Sequence, residues 1–382
     1  MAGLYLHIPF CKQACYYCDF HFSTQLRHRA ELTDAICEEL KLQQGYLEGE
    51  ALETVYLGGG TPSVLEEEEL NHLFECIHQH YQVLAGAEIT AEVNPDDLTN
   101  EKLNTLHRAG INRLSIGIQS FNDPVLTYFN RAHNATQSMA AYQAARLAGF
   151  TNISIDLIYG VPGTSLADWK RELDQALMLK PEHLSAYSLT IEENTVFGRW
   201  HAKKKLQAAD EKLVADQLEL LVDTLTHAGY EHYEVSNFAR PGYYSRHNTS
   251  YWQQKKYLGV GPSAHSYNGH SRQFNVANNG LYTAALAQGR VPFEIETLTQ
   301  ADQVNEYLLT TLRTSWGCDI QQLRTSLGFT FSGKQQRYME TLVENGLAEK
   351  TNTHLRLTKK GKMLADKIAS DLFVSGESSE IG

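Results

Sequence analysis

An alternation of short apolar runs with longer helical patterns, between Leu4 and about Thr190, constrains the fold of this chain most. The apolar runs are LYLHI, TVYLGG, EITAEV, RLSIGI, ISIDLI and HLSAYSL. Helical patterns lie between them, at 29–42, 67–80, 101–109, 138–148 and 167–179. Apolar runs joined by helices predict parallel strands with crossover helices. We therefore expect an α/β fold, a partial (β/α)6 barrel of the TIM type, with its active face at the carboxyl ends of the strands.

The remaining chain predicts a second, smaller unit. After a helix at about 210–228, residues 230–280 are rich in glycine, asparagine and aromatics and predict a long irregular stretch, which in compact proteins is often functional. Short helices at 302–313, 320–326 and 334–345, the hairpin-like LAEKTNTHLRLT and a helix from Lys359 predict a winged-helix-like domain. We expect a barrel domain with its extension at 1–290, a C-terminal domain at 291–373 and a disordered tail at 374–382.

Charge and hydropathy restrict the partners. The chain has 33 basic and 45 acidic residues, a formal net charge of −12. An acidic protein is repelled by phosphate backbones and anionic lipid, so we expect no nucleic-acid partner, and a wing that serves packing. No basic leader precedes the first strand and no stretch of ~18 apolar residues occurs, so we expect a cytoplasmic protein without an integral membrane segment.

Six cysteines in a chain expected in the reducing cytosol argue against a disulfide framework. Cys37, Cys76 and Cys318 stand alone in the sequence, and we expect each to be a small, inert core residue.

Cys11, Cys15 and Cys18 instead lie together on one loop after the first strand, within reach of a single inorganic centre. Structural zinc would need a fourth ligand, for which His7 or His21 is available. An ordinary electron-transfer [4Fe–4S] cluster takes four cysteines, so three thiolates would leave one iron open. The spacing of the cysteines alone does not decide between a zinc site and an iron–sulfur cluster.

Polar residues lie at the ends of three predicted strands. Glu92 lies in EITAEV, Gln119 directly follows RLSIGI and Asp156 lies in ISIDLI. Each alone could bond a nearby loop or cap the next helix, but three in register favour a ligand site. The segment Gly58–Pro62, GGGTP, ends the second strand, where glycines allow a plain tight turn or the close approach of a ligand to the backbone.

The segment YLHIPFCKQACYYC resembles the CxxxCxxC loop of the radical S-adenosylmethionine (SAM) superfamily, in the HIPFC form of the coproporphyrinogen III dehydrogenase (HemN) branch. The resemblance implies that Cys11, Cys15 and Cys18 hold three irons of a [4Fe–4S] cluster. SAM would chelate the fourth iron through its amino and carboxylate groups. Reduction of the cluster by an electron donor then cleaves the sulfonium to a 5′-deoxyadenosyl radical.

The resemblance extends over nearly the whole chain and implies a set of SAM contacts. In the family the GGGTP segment holds the methionyl amino group, a carboxylate suits a ribose hydroxyl and an arginine suits the SAM carboxylate. The matching residues here are Tyr5, Tyr17, Gly59, Gly60, Thr61, Glu92, Gln119, Arg131 and Asp156.

Two differences from the dehydrogenase pattern indicate which branch of the family the sequence resembles. True coproporphyrinogen III dehydrogenases carry CxxxCxxCxC, whereas Phe20 occupies the position of the further cysteine here. Residues 247–252 contain HNxxYW, a motif that resembles the heme chaperone (HemW) branch. His247 would offer a neutral imidazole to heme iron, and Tyr251 and Trp252 flat apolar area. A histidine in a loop is otherwise usually just a hydrogen-bonding residue.

The resemblance therefore implies a protein that binds heme and transfers it to acceptor hemoproteins on a radical SAM scaffold. The alternative on the same scaffold is an oxygen-independent coproporphyrinogen III oxidase. An alternative of another class is a zinc or iron–sulfur interaction module without SAM chemistry.

Overall fold

A single sheet of twelve strands forms the centre of the large domain. The computed structural model describes residues 2–374, so the predicted tail lies outside the described residues except for Val374. The six predicted strands are confirmed as parallel neighbours in chain order. They are β1 (Ala2–Ile8), β2 (Leu52–Gly59), β3 (Val83–Val93), β4 (Arg113–Gln119), β5 (Ile153–Tyr159) and β6 (His183–Ser188).

Helices connect these strands and follow β6. They are α1 (Arg29–Leu42), α2 (Glu67–His80), α3 (Asn100–Arg108), α4 (Asp123–Tyr128), α5 (Ala135–Leu147), α6 (Leu166–Leu179), α7 (Val196–Ala202) and α8 (Glu211–His227). The predicted bounds of α1 and α2 are confirmed. Helices α5 and α6 begin earlier than predicted, because Asn134 and Ser165 form capping boxes with Gln137 and Asp168.

The prediction of an irregular stretch at 230–280 is wrong. That region and its continuation add strands to both edges of the sheet. The elements are β7 (Glu231–Glu234), β8 (Asn237–Ala239), α9 (Arg246–Trp252), β9 (Tyr257–Val260), β10 (His265–Tyr267), β11 (Ser271–Asn275), α10 (Asn279–Leu286) and β12 (Phe293–Thr297). These strands are too short to display a period in the sequence, and pairing with strands already present defines them.

Strand β1 lies inside the sheet rather than at its edge. It pairs in parallel with β2 on one side and with β9 on the other, while β6 pairs with the antiparallel strand β8. Within residues 2–374, β1 and β6 therefore do not close on each other, and the six βα units form the predicted partial barrel.

A buried carboxylate attaches the segment from β9 to α10 to helix α1. Glu39 is 0% exposed and accepts hydrogen bonds from the Gly261 amide at 2.8 Å, from Asn275 Nδ2 at 2.7 Å and from the Tyr282 hydroxyl. Burial raises the pKa of Glu39 to about 7, and these hydrogen bonds oppose that shift. The same contacts hold β9 in place beside β1.

The C-terminal domain has the predicted helices and hairpin. Its elements are α11 (Gln300–Leu312), β13 (Cys318–Asp319), α12 (Ile320–Ser326), α13 (Gly333–Glu344), β14 (Ala348–Lys350), β15 (His354–Leu357), α14 (Lys359–Lys362) and α15 (Ala365–Asp371). They enclose a second core around Leu308, Cys318 and Leu355. The domain boundary after residue 290 stays a prediction, and β12 still pairs with β11 in the large sheet. No helix in residues 2–374 combines the length and apolar character needed to cross a membrane.

Candidate cofactor site

The loop after β1 is closed by its own backbone and presents three thiols. The Cys11 amide donates to the Ser23 carbonyl at 3.0 Å, and the Ser23 amide donates to the Pro9 carbonyl at 2.7 Å. Cys11, Cys15 and Cys18 are free and half-buried on this loop, at the carboxyl end of β1. The predicted grouping on one loop is therefore present in the fold.

The glycine-rich segment after β2 lies directly against the cysteine loop. The Gly60 amide donates to the Ile8 carbonyl at 2.9 Å, and the Thr61 amide donates to the Phe10 carbonyl at 2.7 Å. The Thr61 hydroxyl donates to the sulfur of Cys11 at 3.4 Å. Because β1 and β2 are parallel neighbours, both segments leave the sheet at the same edge and form one unit.

Arg131 approaches the cysteine loop from the other side. Its Nη1 donates to the sulfur of Cys15 at 3.2 Å, and its Nη2 donates to Asn94 Oδ1 at 2.6 Å and to the Gly117 carbonyl at 2.8 Å. Arg131 thus places a positive charge beside the sulfur of Cys15 and ties it to the ends of β3 and β4.

The residues around the three thiols fit an anionic, thiolate-bound cluster. Burial raises the pKa of Cys11 to about 11 and that of Cys18 to about 12, so these thiols are protonated until a metal replaces the proton. The Thr61 hydroxyl and the Arg131 guanidinium supply donors to sulfur, as second-layer groups of thiolate-ligated centres do. The loop thus offers three thiol ligands and two donors at one place.

A second group of predicted residues lines the barrel interior below the loop. Glu92 accepts hydrogen bonds from the Tyr56 hydroxyl at 2.8 Å and from the Gly59 amide at 3.3 Å. Burial, with nearby Asp156, raises the pKa of Glu92 to about 7, and burial also raises the pKa of Asp156. The ring of Tyr5 stacks on that of Tyr56, with centroids 6.1 Å apart. Glu92 is therefore joined to the glycine-rich segment through Gly59.

The other predicted residues lie beside Arg131 or the loop. Gln119 has a left-handed backbone with φ of 66°. The side-chain nitrogen of Gln119 and the guanidinium of Arg131 both lie close to Gly117, since a Cβ added to Gly117 would be 3.0 Å from the first and 3.4 Å from the second. The Tyr17 ring packs edge-on against Phe129 at 5.0 Å. The fold thus gathers the predicted SAM residues at one end of the barrel.

Asn94 also belongs to the site, although no sequence motif above predicted it. Its Nδ2 donates to the Thr61 hydroxyl at 3.0 Å while its Oδ1 accepts from Arg131, so it bridges the two groups that contact Cys11 and Cys15. The signal was available, because Asn94 directly follows β3 in AEVNP, in line with the other polar strand ends.

His247 lies inside the barrel rather than in a surface loop. It is 1% exposed, its Nδ1 is 2.7 Å from the Thr54 hydroxyl and its Nε2 is 2.7 Å from the Tyr251 hydroxyl. Its ring stacks on Tyr56 at 5.0 Å and faces Tyr5 at 6.4 Å. Burial lowers the pKa of His247 to about 3, so the ring is neutral, and both of its nitrogens are already hydrogen-bonded.

Two further residues of the HNxxYW motif line an outer cleft. Tyr251 and Trp252 line a cleft of ≈ 200 Å³ against the C-terminal domain, where Tyr257, Tyr267, Lys255 and Arg272 also line the wall. The guanidinium of Arg313 lies 5.0 Å above the Trp252 ring. Helix α9 therefore connects the barrel interior to an aromatic cleft at the domain junction.

The chain is similar to known proteins over both domains. The model of the radical SAM superfamily matches residues 5–176, and that of the HemN C-terminal domain matches residues 298–364. The chain is 34% identical to the heme chaperone HemW of Bacillus subtilis, covering 96% of this chain and 98% of that protein. It is 35% identical to heme chaperone HemW of Mycobacterium tuberculosis, covering 97% and 94%.

Among solved structures, the chain is similar to the coproporphyrinogen III oxidase HemN of Escherichia coli, described as a radical SAM enzyme. The TM-score is 0.84 at 25% identity, and the match covers 97% of this chain and 90% of that one. The similarity includes the open barrel and the C-terminal domain together.

We predict that Gly60→Ala damages the contact between the two loops. A Cβ at position 60 would lie 2.7 Å from the backbone nitrogen and oxygen of Phe10, next to Cys11. We expect a loss of about 1–3 kcal/mol in the free energy of unfolding, measured by chemical denaturation. Gly45→Ala, where a Cβ would meet nothing within 4 Å, is the matched control. Equal stability of the two variants would contradict the prediction.

Proposed function

We propose heme binding and heme delivery as the function of this chain, which belongs to the HemW family of heme chaperones within the radical SAM superfamily. The observation that carries the proposal is the similarity to HemW proteins over nearly the full length of both partners. Phe20, at the position where the dehydrogenases carry a further cysteine, agrees with it and is 68% exposed. We propose the reducing cytoplasm as its location, in which free thiols persist.

We propose that Cys11, Cys15 and Cys18 hold three irons of a [4Fe–4S] cluster. The closed loop and the donors from Thr61 and Arg131 to two of the sulfurs support this assignment. A cluster held there would supply one-electron reduction of the SAM sulfonium, with the electron coming from an external donor. The chain itself orients the thiolates and stabilises their charge.

Alanine at Cys11, Cys15 or Cys18 should abolish the cluster, because two thiolates cannot retain it. After anaerobic reconstitution, iron and sulfide per chain should fall to background in each variant. Cys318→Ala, which alters a buried cysteine of the second core, should keep both. Full iron content in Cys15→Ala would refute the assignment, and a colourless wild type carrying zinc that Cys15→Ala loses would favour the zinc alternative.

We propose that SAM binds between the cysteine loop and the barrel interior. Arg131 is available to the SAM carboxylate, and Glu92 and Asp156 are available to ribose hydroxyls, since charge-assisted hydrogen bonds suit both. The adjoining contacts proposed are Tyr5, Tyr17, Gly59, Gly60, Thr61 and Gln119. These residues lie together around one end of the barrel, which supports a single ligand site.

Glu92→Gln and Asp156→Asn should each weaken SAM binding, since the loss of a charged hydrogen bond costs about 1.5–3 kcal/mol, or roughly 10- to 150-fold in affinity. A hydroxyl donates to the ionised carboxylate, so wild-type affinity should rise with pH through the Glu92 pKa of about 7. Glu92→Gln should flatten that rise. Titration calorimetry with SAM at pH 6 and pH 8 measures both effects, with iron content as the control. Wild-type affinity in both variants would exclude these roles.

We propose that heme contacts the two residues of the HNxxYW motif that line the outer cleft. Tyr251 and Trp252 offer aromatic area, and Lys255 and Arg272 can exchange their ion pairs with Glu53 and Glu306 for heme propionates. The cleft is smaller than the ~300–1,000 Å³ of common ligand pockets, so it would take one edge of the macrocycle.

His247 then acts as a positioning residue behind Tyr251. Its Nε2 holds the Tyr251 hydroxyl at 2.7 Å, and ligation of iron by His247 would require this bond or the Thr54 bond to break. The two roles differ in their spectra, because an axial ligand sets the position of the Soret band whereas a positioning residue changes only affinity.

Trp252→Ala should weaken heme binding by about 1.5–3 kcal/mol through lost apolar contact. His247→Ala should weaken binding with an unchanged Soret band, and His354→Ala in β15 is the control for opportunistic binding. Heme titration and transfer to an apo-hemoprotein are both measured. A moved Soret band in His247→Ala would identify His247 as the ligand, and wild-type binding and transfer in both motif variants would exclude the motif.

The fold similarity to HemN favours coproporphyrinogen III oxidation as the second candidate. Anaerobic incubation of the reconstituted protein with coproporphyrinogen III, reductant and SAM separates the two. Protoporphyrinogen at catalytic turnover would favour the oxidase over the chaperone.

A further inference from the structure

Two cysteines that stand far apart in the sequence meet between α1 and α2. Cys37 lies on α1, and His72 and Cys76 lie on α2. The two sulfurs and a ring nitrogen of His72 all lie within 4.8 Å of one another. Cys37 belongs to the buried core and Cys76 packs against it, as predicted, but the packing of α1 on α2 brings the two together, so they do not stand alone in the fold.

The local geometry follows from helical spacing. His72 and Cys76 are four residues apart, so they share one face of α2. Cys37 faces them from α1, with its thiol 3.8 Å from the His72 carbonyl. One turn before Cys37, Asp34 places a carboxylate oxygen 3.3 Å from His72 Nε2.

We propose that Cys37, His72 and Cys76 bind a zinc-class divalent cation. Two thiolates and an imidazole are a ligand set that zinc takes in proteins, with a water or a further side chain in the fourth tetrahedral position. A metal-bound histidine commonly donates its other ring N–H to a carboxylate, and Asp34 is in position to accept it. The site is separate from the cysteine loop and does not depend on heme or SAM.

Burial and charge fit this occupant. Cys37 is 8% exposed, whereas the His72 side chain is 45% exposed, so the site is open on one side for entry of a cation. Burial raises the pKa of the Cys37 thiol, as does the hydrogen bond with Cys76. Bound as thiolates, the two cysteines would balance the charge of one dication.

The position gives the ion a structural role. Helix α1 follows the cysteine loop, and helix α2 follows the glycine-rich segment. A cation bound by residues of both helices would crosslink α1 and α2, the helices that follow the two loops of the cofactor site. It stabilises the folded state because the unfolded chain does not preform the site.

Zinc binding is tested on the full-length, cluster-reconstituted protein, incubated anaerobically with zinc chloride and then desalted. We expect one zinc per chain, and zinc-edge X-ray absorption should give two sulfurs at about 2.3 Å and nitrogen or oxygen at about 2.0–2.1 Å. That edge is specific for zinc and is not disturbed by iron.

Matched variants locate the ion. Cys37→Ser, Cys76→Ser and the surface change His72→Ala should each lower zinc retention against a competing chelator at least tenfold, with unchanged iron. Because His72 is partly exposed, His72→Ala keeps the test valid if a cysteine variant fails to fold. Cys318→Ser should retain zinc. Cys15→Ala should lose iron and keep zinc, which separates this site from the proposed cluster.

Three results would overturn the proposal. One is zinc far below one equivalent in the wild type, and another is zinc that Cys15→Ala loses but His72→Ala retains. The third is a chain that is already lighter by two hydrogens when isolated without exposure to air, with Cys37 and Cys76 joined in one peptide. That result would assign the pair to a disulfide instead of a metal.

Discussion

Two backbone hydrogen bonds between neighbouring loops support the whole candidate site. The amides of Gly60 and Thr61 donate to the carbonyls of Ile8 and Phe10, so the glycine-rich segment lies against the start of the cysteine loop. This contact needs the parallel pairing of β1 with β2, and it needs a residue without a side chain at position 60. Once it forms, the Thr61 hydroxyl reaches the sulfur of Cys11, and Asn94 connects Thr61 to Arg131.

The barrel interior joins the two parts of the proposed function. The rings of Tyr5, Tyr56 and His247 lie against one another beneath the cysteine loop, and Tyr56 also donates to Glu92. His247 in turn holds Tyr251, which lines the outer cleft. The residues proposed for SAM and those proposed for heme are thus in van der Waals and hydrogen-bond contact through one helix.

Helix α1, on the outside of the sheet, also connects separate parts of the structure. Its Glu39 receives three donors from the segment between β9 and α10, and its Cys37 faces α2. A buried carboxylate that accepts several hydrogen bonds is costly to leave unpaired, so these contacts restrict where the segment can lie. Helix α1 therefore connects the strands added beside β1 to the helix that follows β2.

The sequence by itself determined what depends on neighbouring residues. Periodicity places the six central strands and the longer helices between them to within a few residues, and the spacing of Cys11, Cys15 and Cys18 groups them because one short loop carries all three. Tertiary structure alone decided the strands within 230–280, the inward orientation of His247 and the meeting of Cys37 with Cys76. Each of these depends on contacts between residues far apart in the chain, and a short strand, a buried histidine or an isolated cysteine has no local pattern that reveals its distant partner.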